Sequence, residues 1–442
     1  MAVTAVSAVR KLPAYRGGNP HHLAARQAGA MREGLRYNGC VPGFRDGEDE
    51  ALPRKGPGSH HPLRRPLRGD TDEMGSEHLL AQSIPLAATM TSAMRSSTRI
   101  VWMDDLSPDR IIAIGAGYWA SKVLLSAIGL GLYTELGDDA ISAPVLAERL
   151  GLLARPATDF FDALVSLDLL ARDGDGAEAR YRNTPETARF LDEASPDYAG
   201  GLLKIWDERN FRFWADLTEA LKTGNPQSEV KHSGRPFFET LYADPRRLES
   251  FMAAMDASSR RNFELLAERF PFANHARLCD VGGADALLSR IVAAAHPHLE
   301  CVSFDLPVVT EIARRKIESA GLGDRVSAVA GDFFADPLPA ADVITMGMIL
   351  HDWSLERKQQ LIAKAYHNLP KGGALVVVEA LIDDARRKNT FGLMMSLNML
   401  IEFGDAFDFS GADFREWCAS AGFRSFDVIP LDGGSSAAVA YK

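Results

Sequence analysis

The carboxyl-terminal part of the sequence predicts a doubly wound, mainly parallel α/β sheet of seven strands, and the part before it predicts a mainly helical module with a winged-helix core. Three observations carry this. After Ala276, short apolar runs recur at 277–281, 301–304, 326–330, 342–346, 374–379, 426–430 and 437–441, with helix-period stretches expected between the first five. Before them, 143–150 and 158–170 read as helix, turn, helix, followed by a polar hairpin through Arg172-Asp173-Gly174-Asp175-Gly176. The 442 residues, 46% apolar and 24% charged, leave room for two or three packed domains and exclude a wholly disordered chain, a collagen and a disulfide scaffold.

The chain divides by chemistry into a leader (1–92), a helical winged-helix dimerisation part (93–270) and the sheet (271–442). The leader is rich in Gly and Pro without a sustained period, so disorder is expected, with Met74, Met90 and Met94 as alternative starts. It also hides the charge of the rest. Residues 1–74 hold 12 Lys and Arg against 8 Asp and Glu, leaving 37 against 51 for 75–442 inside a net charge of −10. An acidic body argues against general nucleic-acid binding. The would-be recognition helix carries Asp159, Asp162 and Asp168, the wrong sign for a phosphate backbone.

The stretch 111–132 is long enough to span a bilayer, but Lys122 sits at its centre and glycines interrupt it, so a helix packed in a dimer core is expected rather than a membrane span. Four cysteines, Cys40, Cys279, Cys301 and Cys418, form no C-x-x-C pair and no zinc-spaced cluster. Free buried thiols in a reducing cytoplasm follow, and no metal site is expected. Between 198 and 270 the pattern reads as helices at 202–221, 237–241 and 245–270, with Phe251 and Met255 one turn apart on an apolar stripe.

In a doubly wound sheet, ligands sit outside the carboxyl ends of the strands. The first strand ends in Asp280-Val281-Gly282-Gly283-Ala284-Asp285, where glycines let a ligand approach the backbone and Asp285 suits the N-cap of the next helix. The second ends in Phe304-Asp305-Leu306-Pro307, a carboxylate placed for a ribose diol. The third ends in Gly331-Asp332-Phe333-Phe334, a carboxylate and an aromatic face suited to adenine. After the fourth comes Leu350-His351-Asp352-Trp353, and the fifth ends at Glu379, 28 residues beyond the histidine. Asp352 and Trp353 read as helix-start and packing residues.

As a set, D-V-G-G, F-D-L-P, G-D-F-F, L-H-D-W and V-V-V-E resemble the class I S-adenosylmethionine-dependent methyltransferases, and more narrowly the small-molecule O-methyltransferases of the caffeic acid and acetylserotonin type with their bacterial natural-product branch. The resemblance covers about 106–442. It implies a Rossmann-like methyltransferase sheet behind a winged-helix dimerisation domain, a cytoplasmic homodimer, S-adenosyl-L-methionine as cofactor and a hydroxylated, aromatic small molecule as acceptor, with no metal. By position it implies His351 as the base, Glu379 beside it, Gly282, Gly283, Asp305, Asp332 and Phe333 at the cofactor, and Phe251, Met255, Asn398 and Met399 at the acceptor.

A histidine is well matched to a phenol, because its ordinary pKa near 6.5 leaves its lone pair free at neutral pH to take the phenolic proton as the methyl is attacked. Four positions depart from the family's pattern. Ala284 and Ala286 replace loop glycines, implying a displaced loop or a looser cofactor, and Gly347 replaces a basic residue. Counting back from Ala421-Gly422-Phe423 places Gly411 where the family has its second glutamate, so a lost acid is expected. Alternatives are carbon or nitrogen methylation, a non-methylating member, and a winged-helix regulator with a small-molecule domain.

Overall fold

The computed structural model describes residues 106–442 apart from Pro236. The leader and the first residues of the helical part lie outside the described residues, as does Cys40; Cys279, Cys301 and Cys418 are buried free thiols.

The helical part begins with Asp109–Gly129 and Leu132–Leu136, followed by β1 (Ile141–Ser142), the helices Ala143–Arg149 and Ala154–Ser166, and a hairpin of β2 (Ala171–Asp173) and β3 (Arg180–Arg182). The order β1-β3-β2, antiparallel throughout, gives the expected wing. Phe161 and Leu164, one turn apart, pack with Leu146 and Tyr181 in one core. Asp162 accepts from Tyr181 Oη at 2.8 Å and pairs with Arg172 at 2.8 Å, so a helix acid ties down the wing.

Asp109–Gly129 is the one helix among the described residues apolar and long enough to cross a membrane. Its Lys122 is ion-paired to Asp207 on the helical part, and only Leu125, Ala127 and Ile128 are buried. Its first half leaves Ile111, Ile114 and Trp119 more than 60% exposed. The stretch 202–221 is not one helix: Gly200–Ile205 runs into a π turn at Trp206–Asn210, short helical pieces and Leu217–Thr223. The long helix Pro245–Arg269 starts with Asp244 accepting from the backbone N–H of Arg246 and Arg247, with proline at its first position.

The sheet then follows the predicted alternation: β4 (Arg277–Val281), β5 (Glu300–Asp305), β6 (Val326–Ala330), β7 (Val343–Gly347), β8 (Ala374–Glu379), β9 (Ser425–Pro430) and β10 (Ser436–Tyr441). Their order is β6-β5-β4-β7-β8-β10-β9, parallel except for β10, which runs antiparallel to both β8 and β9. The six residues of β8 are all buried because helices cover both faces. Along it Leu375 and Val377 enter one core, Ala374, Val376 and Val378 the other. Helices occupy three of the four gaps between the first five strands; from Gly331 to Asp342 the chain crosses as a loop. Strand order reverses between β4 and β7, which opens a crevice at their carboxyl ends.

That crevice is bounded by a strained loop. Gly282, Ala284 and Ala286 all adopt left-handed φ, at 70°, 48° and 68°. The two alanines therefore hold left-handed backbone at a cost of about 1–2 kcal/mol each. Ala286, not Asp285, is the N-cap residue of Leu287–Ala295, and no side chain caps that helix. Asp285 instead faces Arg290 at 3.3 Å. Replacing half-buried Ala284 by glycine is expected to raise unfolding free energy by about 1 kcal/mol, net of the glycine's added chain entropy. Thermal and denaturant melts measure it, and a lower midpoint would contradict the strain argument.

Candidate active site

The carboxyl ends of β7 and β8 bring the sequence-predicted His351 and Glu379 together. Beyond Gly347, Met348 turns left-handed at φ 57° while its N–H still donates to the Val378 carbonyl, so the chain leaves the sheet abruptly. The short 3₁₀ turn Leu350–Asp352 then carries His351 into the interior, fully buried. Glu379, at the end of β8, accepts the His351 backbone N–H at 3.3 Å through Oε1 and brings Oε2 to 3.4 Å from the imidazole Nδ1.

A second acid stands beside it. Asp408 Oδ1 lies 3.2 Å from His351 Nδ1. Its segment is held next to the end of β8 by the Ile382 N–H donating to the Phe409 carbonyl, and the Asp408 N–H donates to Ser396 Oγ. The expected loss of the second acid is thus corrected: the carboxylate arrives three residues before Gly411. Alignment by count missed it. Phe407-Asp408-Phe409, an acid between aromatics, is the signal that could have found it. Asp352 is also more than a helix-start residue, since its buried carboxylate sits 3.3 Å from His351 Nε2 without hydrogen-bond alignment, leaving Nε2 unpartnered. Trp353 packs edge-on against Phe333 and Phe334, as expected of a packing residue.

Burial disfavours a charged imidazole, but Glu379, Asp408 and Asp352 outweigh it and push His351 up to about 9. Burial raises Glu379 against the pull of His351, and raises Asp352 to about 6. His351, Glu379 and Asp408 bring ligand-type atoms within 4.8 Å of one another, close enough for a cation, yet a protonated imidazole already supplies the positive charge these acids need.

On the cofactor side, Asp305 at the end of β5 accepts the Ala284 N–H at 3.0 Å and the Leu306 N–H at 2.7 Å, tying the glycine loop to the sheet. Its burial raises it to about 6. A Cβ on Gly282 would fall 2.2 Å from the Ile349 side chain, and one on Gly283 would fall 2.4 Å from Ser303 Oγ, so neither position admits a side chain. A Cβ at Gly347 would lie 3.0 Å from the Phe263 ring, so a basic residue could enter there only by displacing that ring.

The residues fit an S-adenosylmethionine-type ligand by their donor set. Asp305 uses two of roughly four acceptor positions, leaving two for a diol. Asp285 keeps a buried oxygen without a partner, beside a small cavity that Asp256, Gly282 and Gly283 also line. Asp332 is half-buried and accepts from the Phe334 N–H. Phe333 does not offer a face to adenine: it is fully buried in the sheet core, because Phe334 and Trp353 enclose it edge-on.

Farther from the sheet, Trp206, Phe211, Trp214, Phe391, Met395 and Asn398 line a cavity of about 580 Å³. Through Trp206, Phe391 and Met395 it continues into one of about 220 Å³ that Met255 and Met348 also line, and Met255 and Ser259 carry the cleft on to the glycine loop. Met255 and Asn398 therefore line this cleft. Phe251 and Met399 do not: Phe251 packs edge-on against Phe238, and Met399 is fully buried beneath the helix that carries Asn398.

Asn398 Oδ1 accepts from Trp214 Nε1 at 2.9 Å and Asn210 Nδ2 at 3.1 Å, which fixes the amide with its own N–H₂ free to donate elsewhere. Behind it Arg209 bridges Glu402 at 2.9 Å and Glu229 at 2.6 Å. This buried network was not legible in the sequence.

Comparison with known proteins gives the family. The O-methyltransferase dimerisation domain matches residues 114–193 and the O-methyltransferase domain matches 214–424. The chain is 38% identical to the tetracenomycin polyketide synthesis 8-O-methyl transferase TcmO of Streptomyces glaucescens, over 76% of this chain and 97% of that one. It is 36% identical to the N,N-dimethyltransferase OxyT of Streptomyces rimosus, over 73% and 92%. Among solved structures, the O-methyltransferase NcsB1 from neocarzinostatin biosynthesis, in complex with S-adenosylmethionine and 2-hydroxy-5-methyl naphthoic acid, superposes with a TM-score of 0.61 at 25% identity, covering 73% of this chain and 95% of that one. The sheet, its helical dimerisation module and relatives of this closeness place the chain in the family of S-adenosylmethionine-dependent O-methyltransferases.

Proposed function

We propose that this enzyme methylates a hydroxyl of a small aromatic acceptor held in the cavity between Trp206, Trp214 and Asn398, with His351 as general base and Glu379 and Asp408 orienting it. One observation carries the reading: two carboxylates converge on Nδ1 of a single buried imidazole at the switch point of the sheet. When bound, the cofactor supplies an electrophilic methyl on a sulfonium. The chain's own work is alignment and proton removal.

The two acids hold the proton on Nδ1, leaving Nε2 as the basic atom. They also strengthen it: a base with pKa about 9 lies within about a unit of a phenol, so proton transfer is nearly thermoneutral. Gly282, Gly283, Asp305 and Asp332 surround the cofactor in this reading, and Met255 and Asn398 position the acceptor. A flat ring suits walls of Trp, Phe and Met, and the naphthoic acid bound by NcsB1 is of that kind. OxyT favours nitrogen methylation as a second reading, but an uncharged amine needs no base, which the three acids around His351 argue against.

The half-uncovered helix Asp109–Gly129 gives a second copy an apolar face, in line with the dimerisation domain. We read the working form as a cytoplasmic homodimer, its dimerisation part 93–270 and catalytic part 271–442 behind a leader, binding neither nucleic acid nor membrane and needing no metal.

His351→Ala is expected to lower kcat about 10²–10⁴-fold toward a phenolic acceptor with S-adenosylhomocysteine affinity unchanged by calorimetry. Turnover that survives nearly intact would sink the base assignment. Dialysis against EDTA should leave the rate unchanged; a loss restored by a divalent cation would make the His351, Glu379 and Asp408 group a metal centre. For pH, only the unprotonated imidazole can accept a proton, so kcat/KM should rise about tenfold per unit from pH 6 to 8 and level near 9. A profile already flat at pH 7 would contradict it.

A further inference from the structure

The helix Leu355–Asn368 buries Lys358, Leu361, Ile362 and Ala365, a stripe at helical spacing that begins with a lysine. The Lys358 side chain is fully buried, which is rare for an ammonium without an ion pair, and it forms no salt bridge among the described residues. Its Nζ donates to the Trp353 carbonyl and lies 3.6 Å from the centroid of the Phe407 ring. Trp353 closes the turn that carries His351 and Asp352, and Phe407 immediately precedes Asp408. A single ammonium thus touches both segments that converge on the imidazole.

We propose that Lys358 is a positioning residue for methyl transfer: its ammonium clamps the turn bearing His351 to the segment bearing Asp408 and offsets the carboxylates around the imidazole, so that His351 gives up its proton more readily than the three acids alone would allow. The proposal rests on the general-base reading of His351.

The charges decide the direction. His351 faces Glu379, Asp408 and Asp352; Lys358 feels the same three and Asp405. The remaining titratable neighbour, Tyr242, faces Asp352 and Asp305 with a hydroxyl that burial and those acids keep protonated. With every acid of the trio and both bases ionised, the cluster carries −1, and without the lysine it carries −2. The more negative cluster holds the imidazole proton more tightly. Burial lowers Lys358 to about 8 against the pull of its acids, so the ammonium is charged at pH 7 and fades as pH rises past that value. Its relief of His351 is therefore present in the neutral range and gone at alkaline pH.

The test is Lys358→Met beside Lys358→Arg, read by the pH profile of kcat/KM and by ¹⁵N NMR titration of the His351 ring. For Lys358→Met the expected result is a loss of about tenfold at pH 7 that closes by pH 9.5, with the imidazole midpoint near the wild-type value because the wild-type lysine has already lost its charge there. Lys358→Arg, charged throughout, should hold the neutral-range rate and bring the imidazole midpoint about one unit below that of Lys358→Met. A loss in Lys358→Met that is the same at every pH, or equal imidazole midpoints in the two variants, would overturn the proposal and leave Lys358 a structural anchor. The NMR arm does not require His351 to be the base. Equal midpoints in the two variants therefore count against Lys358, whereas persistent turnover in His351→Ala counts against the base reading.

Discussion

The structure depends on keeping ionised groups out of water at the carboxyl edge of one sheet. An imidazole surrounded by Glu379, Asp408 and Asp352, all buried, is stable only if the charges nearly cancel and every element holding them is rigid. The fold supplies both conditions. β8 is a wholly covered strand and β7 is covered up to Gly347, the left-handed Met348 breaks away from the sheet at a fixed place, and the segment 408–410 is tied back to Ile382. Acids on three different elements meet at one ring because sheet order, not chain order, brings them there.

The same logic governs the cofactor side. Asp305 is a structural clasp on the glycine loop before it is a ligand group, and the loop accepts left-handed alanines because Asp305 and the Gly283 carbonyl hold their N–H groups. Local strain is stored where the surroundings over-determine the backbone.

Much of this was legible beforehand, because apolar runs of five or six residues separated by helical periods fix a doubly wound sheet, and its ligand residues must follow the strands. That rule pointed to His351, Glu379 and Asp305, which the fold places at or just beyond the carboxyl ends of β7, β8 and β5. What escaped was spatial. Asp408 lies 57 residues from His351 and joins it only through a loop whose length no periodicity records. Phe333 was read as a ligand face, yet its neighbour Phe334 and the distant Trp353 close around it. The π turn at Trp206–Asn210 was invisible because its apolar spacing resembles that of an unbroken helix, and Lys358 because a lysine in a helix ordinarily reads as solvated.

The π turn at Trp206–Asn210 also decides how the cavity wall is built. It shifts the helical phase within a single run of chain, so Gly200–Ile205 packs on the long Pro245–Arg269 helix while Asn210, Phe211 and Trp214 face the helix Thr390–Phe403 and its cavity. One run of chain serves two unrelated surfaces. Deleting a single residue from the turn would restore the ordinary pitch and rotate one half by about 100° relative to the other, withdrawing Arg209 and Asn210 from Glu402 and Asn398 while leaving the sheet untouched. A change of length at this point, unlike a substitution within the cavity, would reshape the cavity wall by turning a whole helical segment.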